Sequence, residues 1–127
     1  MKPRLTLSLL TAGVVAAVLA VPSARAARPI PLHARTAGDL AALCAPDPRA
    51  PGSDARMNFC DGFAQGVVDL ELQHTKNHKP FCFPANPPTR RQTMTEFSHW
   101  VRASPDRAGM PATNGVLRFM ADRFPCR

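Results

Sequence analysis

Four cysteines, Cys44, Cys60, Cys82 and Cys126, stand far apart along this chain, and they constrain its fold more than any other feature. None belongs to a C-x-x-C pair, so a zinc knuckle, a thioredoxin-like redox centre and a haem-attachment site all lack support. An even number of widely spaced cysteines reads as two structural disulfides, provided the chain reaches a space where thiols oxidise. The N-terminus decides that condition.

Lys2 and Arg4 precede an apolar run from Leu5 to Val21, which is followed by Pro22-Ser23-Ala24-Arg25-Ala26. This is the charged, apolar and small-residue order of a secretory signal peptide, with cleavage expected after Ala26. A membrane anchor is the competing reading. The run spans only 17 residues, however, at the lower limit for crossing a bilayer, and no basic stop-transfer cluster follows it. There is no twin-arginine pair and no lipobox cysteine, so a soluble, unlipidated periplasmic product is expected. No second apolar run is long enough to span a bilayer, and no membrane partner is expected after cleavage.

Residues 1–26 are therefore read as the leader, 27–35 as a flexible N-terminal stretch and 36–127 as one helical domain. The 101 residues beyond the leader suit a single domain that benefits from covalent staples, because so short a chain buries a limited share of its surface. The leader also removes Lys2, Arg4 and Arg25, leaving 13 basic against 9 acidic side chains and a formal charge of +4 in place of +7. A mildly basic solvated surface accounts for that excess, and an exported protein has little access to its own cell's nucleic acid. No nucleic-acid partner is expected.

Proline-rich turns divide the domain into about four short helices. Thr36 is placed to cap the first, with Asp39 in its first turn and Leu40, Leu43 and Cys44 on one face, and Pro46 and Pro48 end it. The second runs from about Ala55 to His74. Phe59, Cys60, Phe63, Ala64, Val67, Val68 and Leu70 recur in it at three- and four-residue steps and predict a buried stripe at the centre of the fold. Gly62 and Gly66 stand one turn apart, at a cost of about 1 kcal/mol each relative to alanine, and predict a close approach by another helix.

Prolines at 80, 84, 87 and 88 exclude regular helix over residues 75–88, although Phe81-Cys82-Phe83 is apolar enough to be tucked down. Thr89 and Gln92 form a capping-box pattern for a third helix, with Met94, Phe97, Trp100 and Val101 inward and Ser104-Pro105 at its end. A fourth begins after Gly109, with Pro111 in its first turn, and buries Val116, Leu117, Met120 and Phe124 before Pro125-Cys126. The layout puts Cys44 and Cys60 at the joined ends of one helical hairpin. Cys82 and Cys126 flank the other in the same way. The pairing expected is Cys44 with Cys60 and Cys82 with Cys126, in an all-α bundle stapled by two disulfides.

The ordered set from Thr36-Ala37-Gly38-Asp39-Leu40 to Cys44, then Phe59-Cys60-Asp61-Gly62-Phe63 with Gly66-Val67-Val68-Asp69, then Phe81-Cys82-Phe83-Pro84, Ser104-Pro105 and Phe124-Pro125-Cys126 resembles the Rap/Tai family of immunity proteins. The resemblance covers about residues 36–126. It implies a small all-helical periplasmic protein that protects its own cell from a type VI secreted peptidoglycan amidase. It also implies a homodimer that occludes the amidase's catalytic cleft, so that inhibition is by binding and not by chemistry.

The candidate catalytic residues fit a non-enzymatic reading. His74 and His78 are four apart and Glu71 is near, but Pro80 argues against helix as far as residue 78 and no third ligand has a telling spacing, so no metal or other cofactor is expected. Asp69 and Glu71, two apart on a helix, point to different sides and do not form an acid and base pair. Asp69 suits a hydrogen bond or charge pair at the helix edge. His33 falls in the flexible stretch and His99 on a helix surface. The alternatives to an inhibitor are an exported stress or acid chaperone, or a structural protein with no toxin partner. For a binding role, the proline-rich loops 45–56 and 74–88 are the irregular elements that a stapled scaffold would present.

Overall fold

The computed structural model describes residues 30–127; the expected leader, the cleavage site expected after Ala26 and residues 27–29 lie outside the described residues. Five helices follow in order: α1 (Ala37–Cys44), α2 (Ser53–His74), α3 (Arg90–Arg102), α4 (Pro105–Gly109) and α5 (Ala112–Arg123). No strand is present among the described residues, and no helix there is long and apolar enough to cross a membrane. The fold is all-α with two disulfides.

Local chemistry sets the helix starts. At α1 the Thr36 hydroxyl accepts from the Asp39 N–H at 3.1 Å, while the Asp39 carboxylate accepts from the Thr36 N–H at 2.9 Å. Thr89 and Gln92 repeat this reciprocal arrangement at α3, with 2.9 and 3.2 Å contacts. Each box satisfies two backbone donors that a helix N-terminus otherwise leaves unpaired. Gly52, at φ 77°, turns the chain into α2 in a left-handed conformation that glycine adopts without a Cβ clash.

The fifth helix departs from the expected four. Pro105, whose missing N–H and fixed φ suit a first helical position, starts the one-turn α4 immediately after α3. Pro111 stands outside α5 as its N-cap and not in its first turn. There it forms an isolated bridge with Thr36. Ala37 N–H donates to the Met110 carbonyl at 2.8 Å, and Ala112 N–H donates to the Arg35 carbonyl at 2.9 Å, so α1 and α5 start side by side. Within the lead-in segment, Arg35 is tied by that bond, Ala34 packs against the core and Ile30 lies over Gly52.

The centre of the fold is α1 and not α2. The shortest of the main helices, it touches all four others and buries Ala37, Leu40, Ala41, Leu43 and Cys44. Ser98, fully buried on α3, donates its hydroxyl to the Ala41 carbonyl and so satisfies a polar group inside the α1–α3 contact. α2 buries only Met57, Cys60, Ala64 and Val68. Phe59, Phe63 and Val67 are half-buried beside that row, and Leu70 is exposed at 56%.

Gly62 and Gly66 do not mediate the expected close approach: a Cβ at either would meet nothing within 4 Å. The close approaches occur at Gly115, where a Cβ would lie 2.6 Å from the Ala37 methyl, and at Gly38, where it would lie 3.1 Å from the Ala108 carbonyl oxygen. Phe97, Trp100 and Phe119 form an aromatic triad with centroids 5.6 to 6.3 Å apart. Arg107 of α4 covers its outer edge, 4.4 Å from the Trp100 ring and hydrogen-bonded to the Trp100 carbonyl at 2.8 Å.

Candidate functional site

The disulfides hold the loops that the scaffold presents. Cys44, the last residue of α1, is bonded to Cys60 in α2 with Cα atoms 5.1 Å apart, which closes the loop over residues 45–52. Cys82 is bonded to Cys126 at a Cα separation of 4.9 Å, which ties the chain end to the loop over residues 75–89. In the chain-entropy picture, closing loops of these lengths contributes about 3 and 4 kcal/mol. All four thiols are consumed, so none is free to act as a nucleophile.

The first loop is a set of turns. Asp47 accepts from the Arg49 N–H through its side chain at 2.9 Å and from the Ala50 N–H through its carbonyl at 3.0 Å. The second loop is anchored at one place and open elsewhere. Phe81 is buried, and the Cys82 N–H donates to the Phe124 carbonyl at 2.7 Å. Phe83 is not tucked down with Phe81 but is 47% exposed, its ring 5.7 Å from Phe81 and 5.2 Å from Phe124.

The candidate metal residues do not converge. His74 ends α2 with Nδ1 2.8 Å from the Leu70 carbonyl, and His78 lies in the turn beyond it. Among the described residues no group of three or more His, Cys, Asp or Glu side chains could hold a metal ion. Asp69 accepts a 2.6 Å hydrogen bond from Gln65 on the same helix, the edge hydrogen bond expected of it. The groups with clearly displaced protonation serve the scaffold. The Thr36 N–H, then the Thr36 hydroxyl and the Arg35 N–H, hold the Asp39 carboxyl below the usual range, and the Glu96 carboxylate at 2.7 Å raises Arg123.

One concave surface feature was not anticipated from the sequence. A groove of about 240 Å³ opens between α2, α3, α5 and the second loop, with Ala64, Val68, Met94, Met120 and Phe83 on its walls and Arg90 beside it. Its lining comes from four separate segments, so no local pattern announces it. The nearest signal in the sequence was an aromatic residue, Phe83, among four prolines.

The sequence profile of the family described as Rap1a immunity proteins matches residues 36–126. No curated protein and no solved structure matches the chain at a significant level. The matched span opens on Thr36, the cap of the hub helix α1, and closes on Cys126, the outermost disulfide partner, so it takes in the whole stapled bundle. The chain belongs to the family of Rap1a immunity proteins.

Proposed function

We propose that this protein is a periplasmic immunity protein that binds and blocks a type VI secreted peptidoglycan amidase. The observation that carries this reading is the family match over residues 36–126, which spans all five helices and both disulfides. The disulfides add support, because such staples persist in oxidising compartments such as the periplasm and are rare in the cytosol. The expected leader, with cleavage after Ala26, would deliver the chain there. Inhibition follows from occupation of the amidase's catalytic cleft, so the protein itself works by binding and performs no catalysis.

The reading includes a homodimer. Its support is the outer row of α2, where Phe59, Phe63 and Val67 are half-buried and Leu70 is exposed although all four sit at helical spacing. Sedimentation should then detect a dimer that Leu70→Glu weakens.

The test of the main proposal is coexpression with the product of the adjacent gene. A stoichiometric complex, together with loss of that partner's wall-cleaving activity on mixing, is the expected result. A neighbouring amidase that neither binds nor is inhibited would refute it. Suppression of aggregation of an unrelated protein at low pH, with no such complex, would point to the chaperone class.

A further inference from the structure

The size of the groove between α2, α3, α5 and the second loop decides what class of occupant it suits. An apolar cavity of about 150 Å³ already takes up benzene, whereas drug-sized ligands occupy about 300–1,000 Å³. At about 240 Å³ the groove accommodates one aromatic or branched side chain and is small for a cofactor. Its loop wall is already fixed, since Phe83 rests on Phe81 and Phe124 and the adjoining Cys82 is bonded to Cys126. Binding therefore does not have to order that wall, which removes a common cost of association.

The rim supplies a charge. Arg90 and Arg91 occupy the first turn of α3, which holds no acidic residue, although the helix dipole disfavours cations there. Arg91 lies 3.9 Å from the Asp61 carboxylate. Arg90, which borders the groove, has no acidic partner within ion-pair distance among the described residues. An unpaired cation at the mouth of an apolar recess complements a carboxylate next to an apolar group.

We propose that this groove is an anchor site for a partner protein: it takes one aromatic or branched apolar side chain whose neighbouring Asp or Glu pairs with Arg90. The identification of that partner as the blocked toxin rests on the immunity reading, while the chemistry of the groove can be measured without it.

The experiment uses the oxidised protein with labelled methyl groups and three blocked dipeptides, N-acetyl-Phe-Glu-amide, N-acetyl-Phe-Lys-amide and N-acetyl-Ala-Glu-amide. Phe-Glu should give saturable shifts of the Met94, Met120, Ala64 and Val68 methyl resonances in the millimolar range. Phe-Lys should bind about tenfold more weakly, and Ala-Glu should leave the methyls unmoved. Arg90→Glu, a change at an exposed position, should reverse the preference between Phe-Glu and Phe-Lys, and Arg90→Gln should abolish it. Methyls that stay unshifted with every peptide, or equal affinity for Phe-Glu and Phe-Lys, would overturn the proposal.

The product of the adjacent gene then separates the two readings. If it binds and Arg90→Glu weakens the complex by about tenfold, the groove is the toxin anchor. If it binds with no effect of Arg90→Glu, the anchor role is refuted and the immunity reading stands. If it does not bind while the dipeptides do, the immunity reading fails and the groove stands.

Discussion

Gly115 of α5 lies so near Ala37 of α1 that a Cβ at position 115 would come within 2.6 Å of the Ala37 methyl. That methyl cannot rotate out of the way, and the two helix starts are tied together by the Ala37 to Met110 and Ala112 to Arg35 hydrogen bonds. Gly115→Ala should therefore force α1 and α5 apart and cost about 1–3 kcal/mol, as overpacking does. Gly62→Ala and Gly66→Ala, with no neighbour within 4 Å, should each stabilise by about 0.5–1 kcal/mol through helix propensity. Urea unfolding of the three variants checks the sign, and a stabilising Gly115→Ala would remove the close-contact argument.

The contrast between these glycines marks what the sequence could disclose. Thr36 with Asp39 and Thr89 with Gln92 act within four residues, so the two capping boxes and the all-α class were legible. The apolar spacing of Phe59, Phe63, Val67 and Leu70 was legible too, but a helical period shows that a face is apolar and not what covers it. In the monomer the covered row is Met57, Cys60, Ala64 and Val68, and Leu70 is left outside. The central place of α1 was hidden because an eight-residue helix gains it from contacts with four other helices. The groove was hidden for the same reason, since Ala64, Phe83, Met94 and Met120 meet only after folding.

The two disulfides differ in access. Cys44 and Cys60 are fully buried, whereas Cys82 and Cys126 are exposed. Thiol attack requires reach to a sulfur, so mild reduction of the folded protein should open Cys82–Cys126 first and leave Cys44–Cys60 intact. Alkylation followed by peptide mapping at increasing reductant reads the order directly. Replacing either pair by alanine should lower stability by about 3–4 kcal/mol in the chain-entropy picture, and equal reduction rates would contradict the burial difference.

Arg107 should matter more than a surface arginine usually does. Its guanidinium lies 4.4 Å from the Trp100 ring and donates to the Trp100 carbonyl at 2.8 Å, joining the one-turn α4 to the aromatic triad. Arg107→Ala removes both contacts and should cost about 1–2 kcal/mol. Arg107→Lys keeps the charge but lacks the planar donor fork, so it should recover only part of that loss. Trp100 fluorescence followed through chemical unfolding would report both variants, and an Arg107→Ala protein as stable as wild type would show that α4 is held by other contacts.

Asp39 sets the acid limb of stability at the α1 start. Its carboxylate accepts from the Thr36 and Arg35 N–H groups at 2.9 and 3.2 Å, and the folded state therefore holds it more acidic than the unfolded chain does. A depressed carboxylate contributes stability above its unfolded value, about pH 4, and that contribution is lost as pH falls through the lower folded value. Asp39→Asn should accordingly lower the unfolding midpoint at neutral pH, with the gap to wild type closing as the pH drops below about 4. The helix dipole acts in the same direction, because it favours the negative charge in the first turn. Thermal unfolding of both proteins between neutral pH and strongly acidic conditions provides the comparison. A gap that is constant with pH would mean that the side chain's shape, and not its ionisation, stabilises the cap.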